Sequence, residues 1–141
     1  MTSPSSEGYA LTEHPADIGI EATSSTREGI LEHSCMGLMA VMTDPSQVGG
    51  TFERSFTVDD AHPAIVLRRV LSEVLFLSSS EGLFFSSFSV SWNGEVRVVC
   101  RGEPIDPSRH ELRVEVKAIT ASGLRFERCG DSWVSFVLVD V

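Results

Sequence analysis

Phe88-Ser-Val-Ser-Trp-Asn-Gly-Glu-Val-Arg-Val-Val-Cys100 is the stretch on which the fold turns. Phe88, Val90 and Trp92 alternate with serines, Asn93-Gly94 is the strongest short turn signal in the chain, and Val96, Val98 and Cys100 alternate on the return. Period-two patterning on both sides of such a turn predicts an antiparallel hairpin. Working back from it, Gly82 closes a helix whose apolar stripe is Leu67, Val70, Leu71, Val74 and Leu75, with Asp60 as its cap and Pro63 in its first turn. Before that helix, Phe52, Phe56 and Val58 mark a strand with one buried face within Thr51 to Val58. Ser25-Thr26-Arg27-Glu28 matches a capping box, and Leu31, Cys35, Leu38, Met39 and Met42 continue at helical spacing toward Asp44-Pro45. Gly37 inside this helix is explained either by close approach to a sheet or by ordinary tolerance. At the start, Tyr9 to His14 and Ile18 to Ala22 are short β-compatible runs, with Pro15 expected to kink the chain between them.

Beyond the hairpin, Gly102-Glu-Pro-Ile-Asp-Pro107 reads as a loop, and alternation resumes with Leu112, Val114 and Val116 against Glu111, Arg113, Glu115 and Lys117. Ala121-Ser122-Gly123 and Cys129-Gly130-Asp131 read as turns around a short strand, Leu124 to Glu127. Trp133 to Val141 is almost continuously apolar, as for a strand covered on both faces. The order is β-β-α-β-α followed by about four strands. The predicted class is α+β, two helices packed on mostly antiparallel sheet, with a single domain over 9–141 and a short polar tail over 1–8.

Composition narrows the function. With 11 Lys+Arg against 20 Asp+Glu among 141 residues, the formal net charge is −9, which disfavours direct binding to a phosphate backbone and favours cations or basic protein surfaces. A domain of this length buries roughly 68% of its unfolded surface and needs no metal or disulfide to hold a core. Met1 to Gly8 does not read as a secretory signal, no apolar run reaches membrane length, and Cys35, Cys100 and Cys129 lack ligand spacing, so reduced thiols in the cytoplasm are expected.

Asp140 is the informative anomaly. It follows Val137-Leu138-Val139 and precedes Val141, and a carboxylate at the end of a buried strand is costly unless paired, hydrogen-bonded or ligated. A hard cation with oxygen ligands would relieve it; the plainer reading is a solubilising Asp where the chain runs into solvent. The second concentration of polar groups is His14-Pro15-Ala16-Asp17, where Asp17 is either a turn residue or a ligand. Lys117, Glu103, Asp106 and His110 are first of all surface or loop residues. No phosphate loop, dinucleotide fingerprint, HExxH or GxSxG motif occurs.

Taken together, His14-Pro15-Ala16-Asp17-Ile18-Gly19-Ile20, Met42-Thr43-Asp44, the Leu67 to Leu77 helix with Ser72-Glu73, Gly102-Glu103-Pro104-Ile105-Asp106 with His110, Val116-Lys117-Ala118-Ile119-Thr120 and Val139-Asp140-Val141 resemble the archease family. These landmarks follow the family's order and span nearly the whole chain after residue 8. The resemblance implies a small cytoplasmic α+β protein, not itself an enzyme, that serves an RtcB-type RNA ligase of tRNA splicing and RNA repair. It would promote guanylylation of the ligase histidine and multiple turnover. It also implies a calcium site, or one for another divalent cation such as Mg²⁺, at Asp17, Asp140 and Val141, with Lys117 and His14 as functional residues for ligase activation. Pro15 stands where the family commonly has Thr, Ala121-Ser122 where Tyr-His is frequent, and Val70 and Ser72 where Trp and Asn are common. Two other readings are a small-molecule or protein-binding module of the same fold unrelated to RNA ligation, and a metal-dependent hydrolase.

Overall fold

The computed structural model describes residues 7–141. Its elements are β1 (Gly8–Glu13), β2 (Asp17–Ser24), α1 (Arg27–Met42), β3 (Phe52–Asp59), α2 (Pro63–Glu81), β4 (Leu83–Asn93), β5 (Glu95–Pro104), β6 (Ala118–Cys129) and β7 (Ser132–Asp140). A single 3₁₀ turn, Pro45–Gln47, follows α1. The class is α+β as expected, but the strands form two antiparallel sheets: a larger one in the order β1-β2-β7-β6 and a smaller one in the order β3-β5-β4.

Helix α1 explains why two sheets make one core. It packs against β2 of the larger sheet and β4 of the smaller, so it is apolar nearly all round, the signature of a helix enclosed on several sides. Ile30, Leu31, Leu38 and Met39 are fully buried, each contributing about 1.5–3 kcal/mol of transfer free energy. Gly37 is where the helix comes closest to the sheet: a Cβ there would lie 2.6 Å from Ile20 Cγ2 on β2. Close approach, not tolerance, accounts for this glycine. Helix α2 turns Val66, Leu67, Val70, Leu71 and Val74 inward and leaves Ile65 and Phe76 exposed. The sheets are also joined by aromatic edges, Trp92 on β4 meeting Phe126 on β6 at 6.2 Å and Phe126 meeting Trp133 on β7 at 5.7 Å between centroids.

Several local expectations give way to stronger partners. Thr26, not Ser25, caps α1, its Oγ1 accepting from Gly29 N at 2.9 Å. His62 caps α2 through Nδ1, because Asp60 is engaged by Trp92 Nε1–H at 2.9 Å. Gly82 does close α2, with φ +65 in the left-handed region that glycine enters without penalty. Gly102–Pro104 continue β5 instead of opening a loop.

Ala121–Gly123 lie within β6 as a register irregularity between Thr120 and Arg125, with Gly123 at φ +69. The strand expected over Leu112 to Val116 has no ladder partner and is not a strand. β7 is internal to its sheet, yet only Ser135, Val137 and Val139 are buried and the opposite face is half-exposed. Of the expected tail, Glu7 and Gly8 fall within the described residues: Gly8 opens β1, and Glu7 accepts from Ser25 N and pairs with His33.

Candidate functional site

His14-Pro15-Ala16-Asp17 does not kink two strands apart; it is the turn that joins β1 to β2 as a hairpin. His14 N–H donates to Asp17 O at 3.0 Å and Asp17 N–H donates back to His14 O at 3.4 Å, with Glu13 facing Ile18 in the ladder. Pro15 suits this geometry because its fixed φ presets the second position of a tight turn. The turn makes Asp17 the first residue of β2, at the sheet end where β7 finishes.

Register then sets the chemistry. Asp17 lies directly across from Asp140, and Ala118 of β6 lies across from Asp140 on its other side. Side chains of directly opposed residues share a face about 4.5–5.5 Å apart at Cβ, where like charges repel. The face is the one turned away from the buried Val137 and Val139. Lys117 N–H donates to Asp140 O at 2.8 Å and Val141 N–H to Ala16 O at 3.4 Å, so Lys117, Asp140, Val141 and the turn converge by backbone hydrogen bonds. Asp17, Asp140 and Val141 are half-buried, whereas His14 and Lys117 are exposed. The His14 ring reaches Thr12 Oγ1 at 3.5 Å, and its link to Asp17 is through the backbone. Lys117 makes no ion pair among the described residues.

The groups that could hold a cation here are the Asp17 and Asp140 carboxylates with the adjacent Val141. They offer oxygen, which fits a hard cation and not a thiolate- or imidazole-seeking one. Among the described residues no three His, Cys, Asp or Glu side chains gather at one place, so Asp17 and Asp140 stand as a pair of opposed carboxylates.

A second polar cluster was hidden in the sequence as loop residues. Glu103, mostly buried, accepts from Gly49 N–H at 2.5 Å, Arg109 Nη2 at 2.5 Å and His110 Nε2 at 2.9 Å. His110 Nδ1 accepts from Asp106 N–H at 2.9 Å, which places the ring proton on Nε2, facing Glu103. Arg109, then the Gly49 amide and His110, hold the Glu103 carboxyl down to about 2. The cluster clamps the segment after β5 to the loop before β3. Glu103 and His110 are landmarks of the family resemblance, but nothing in their spacing announces that they pair with each other and with Arg109.

No helix among the described residues is long and apolar enough to cross a membrane. Cys35 and Cys100 are buried and free, and burial pushes the Cys100 thiol up to about 12.

A model of the archease protein family matches residues 9–141. The chain is similar to an archease from Methanopyrus kandleri, at 32% identity over 136 residues that cover 92% of this chain and 96% of that protein. It is similar to one from Thermococcus gammatolerans at 34% over 135 residues, covering 92% and 95%. The solution structure of Methanobacterium thermoautotrophicum protein 1598 superposes with a TM-score of 0.81 at 26% identity, over 95% of this chain and 99% of that one. With the hairpin turn, the three strand ends and the helix order all falling inside the matched residues, the chain belongs to the archease family.

Proposed function

We propose that this protein activates an RtcB-type RNA ligase in the cytoplasm, promoting guanylylation of the ligase histidine and repeated turnover, and that it does no catalysis of its own. The observation that carries this reading is the Asp17–Asp140 cross-strand pair, two carboxylates set face to face at a strand end. Such a pair is costly alone and useful as a cation holder. Asp17, Asp140 and Val141 hold a calcium ion or another hard divalent cation such as Mg²⁺ in this reading. A bound cation supplies positive charge that can polarise a phosphoryl oxygen.

The chain's own residues do the positioning. The His14–Asp17 turn fixes where the Asp17 carboxylate emerges, and the Lys117 N–H to Asp140 O bond fixes the end of β7. Lys117, exposed and without an ion-pair partner among the described residues, offers its ammonium to the ligase or to a nucleotide phosphate. His14 lies at the rim of the same tip. RNA contact is left to the ligase, because a chain of net charge −9 repels a phosphate backbone.

The test is guanylylation of the organism's RNA ligase by radiolabelled GTP, with and without this protein, at limiting and excess ligase. Faster labelling and ligation beyond one turnover are expected, with stimulation lost in Asp140→Ala and reduced in Lys117→Ala. Undiminished stimulation by Asp140→Ala overturns the role of the pair, and no stimulation by the wild type overturns the function.

A further inference from the structure

The larger sheet leaves one of its faces open. Residues opposed in a ladder share a face, and the face that holds Asp17 and Asp140 continues through Glu21 and Phe136 to Thr23 and Val134. The opposite face holds Ile20, Val137 and Val139, all fully buried. On the outer face Val134, Phe136 and Leu138 form a half-buried apolar row along β7, and the only buried residue that β2 and β7 place there is Gly19. The charge of this face is lopsided. Asp17, Glu21, Glu127 and Asp140 stand on it against Arg125, and Lys117 at its corner leaves it still acidic.

Phe136 sits at the middle of the face, directly opposed to Glu21 on one side and to Arg125 on the other. Arg125 reaches its neighbour Glu127 at 3.7 Å, whereas Glu21 is exposed and makes no ion pair among the described residues. The Phe136 ring runs between two glycines: a Cβ at Gly19 would lie 2.8 Å from its Cε1, and one at Gly123 would lie 3.5 Å from its Cε2. Neither position sets a side chain against the ring. Elsewhere in this protein rings carry arginines, with Arg27 at 4.0 Å from the Trp92 centroid, Arg128 at 5.5 Å from Trp133 and Arg54 at 5.7 Å from Phe52. Phe136 carries none among the described residues. A ring without a cation beside a carboxylate without a partner is the combination that holds a guanidinium, which stacks on the one and donates to the other.

We propose that the outer face of the larger sheet docks a partner protein through an arginine flanked by apolar side chains. The guanidinium stacks on Phe136 and donates to the Glu21 carboxylate, and the flanking side chains lie on Val134 and Leu138. The acidity of the face sets it against a nucleic-acid backbone and against the same face of a second copy. The surface needs neither a cation at Asp17 and Asp140 nor a ligase, so its test and that of the activation reading fail independently.

The probes are end-blocked tripeptides, leucine-arginine-leucine and its forms with citrulline or lysine at the centre, titrated into the full chain in EDTA and followed through backbone amide shifts. The arginine peptide shifts Glu21, Gly123 and Phe136, and it binds at least about tenfold more tightly than the citrulline peptide, which keeps the shape and lacks the charge. It also binds more tightly than the lysine peptide, because a planar guanidinium stacks on the ring and a compact ammonium does not. Glu21→Gln, at an exposed position, brings the arginine peptide down to the citrulline level. Phe136→Leu removes the preference for arginine over lysine. The proposal is overturned by absence of shifts at about 10 mM peptide, by equal binding of arginine and citrulline peptides, or by binding that Glu21→Gln leaves intact. Shifts centred on Asp17 and Asp140 overturn it too, since they mark attraction to the carboxylate pair alone. So do shifts that grow with protein concentration alone, which mark a second copy as the occupant. Where Phe136→Leu lowers the melting temperature, Glu21→Gln decides alone.

Discussion

Glu103 shows how one buried carboxylate can hold two distant segments. Its folded-state value, depressed to about 2 from an ordinary 4.5, means that its stabilisation is fully present above about 4.5 and is lost as pH falls toward 2. Glu103→Gln is therefore expected to melt below the wild type at pH 6, with the gap closing progressively between pH 4.5 and 2 in paired thermal melts. Asp17 and Asp140 are two acidic side chains directly opposed across the β2–β7 ladder. Asp17→Asn should leave the cation-free protein as stable as the wild type or more so, by about 0.2–1 kcal/mol. In the wild type, calcium at a hundredfold excess over its dissociation constant should add about 2.7 kcal/mol, and Asp17→Asn should lose that gain. Calorimetry with and without calcium reads both effects, and an unaltered calcium response in Asp17→Asn would refute ligation by this residue.

At the level of elements, Gly37 sets helix propensity against space. Alanine at this position would favour an isolated helix by about 1 kcal/mol, yet its Cβ would sit 2.6 Å from Ile20 Cγ2. Gly37→Ala is expected to destabilise by about 1–3 kcal/mol in denaturant titration, since overpacking between α1 and β2 outweighs propensity. Elements whose pattern is local were legible in the sequence: both helices, the Asn93-Gly94 hairpin and the apolar run of β7. Caps were displaced wherever a tertiary partner competed, as when Trp92 drew Asp60 away from α2. Pro15 looks like a breaker in sequence because a tight hairpin turn and a kink share the same local chemistry. The alternation of Leu112, Val114 and Val116 was real, but pairing is a property of neighbours and no neighbour strand is there. At the candidate site, Asp17 and Asp140 stand out separately in the sequence, and only the β2–β7 register places them opposite each other.

For the molecule as a whole, the two sheets are expected to unfold together, because α1 and the Trp92–Phe126–Trp133 contacts tie them into one core. One tryptophan lies in each sheet, Trp92 on β4 and Trp133 on β7, so single-tryptophan variants report the sheets separately. Phe126→Ala should lower stability by about 3–5 kcal/mol with coincident transitions from both reporters. Transitions that part company in this variant would show that α1 alone does not hold the two sheets in one cooperative unit. The position of β7 between β2 and β6 has a further consequence for biogenesis. Asp17 and Asp140 are 140 − 17 = 123 positions apart, so the contact is among the most non-local the fold can make. During vectorial synthesis the β1–β2 hairpin emerges first and keeps one edge unfilled until β7 has been made. The carboxylate pair thus comes into existence only with the closing of the larger sheet, as the last strand docks between two others.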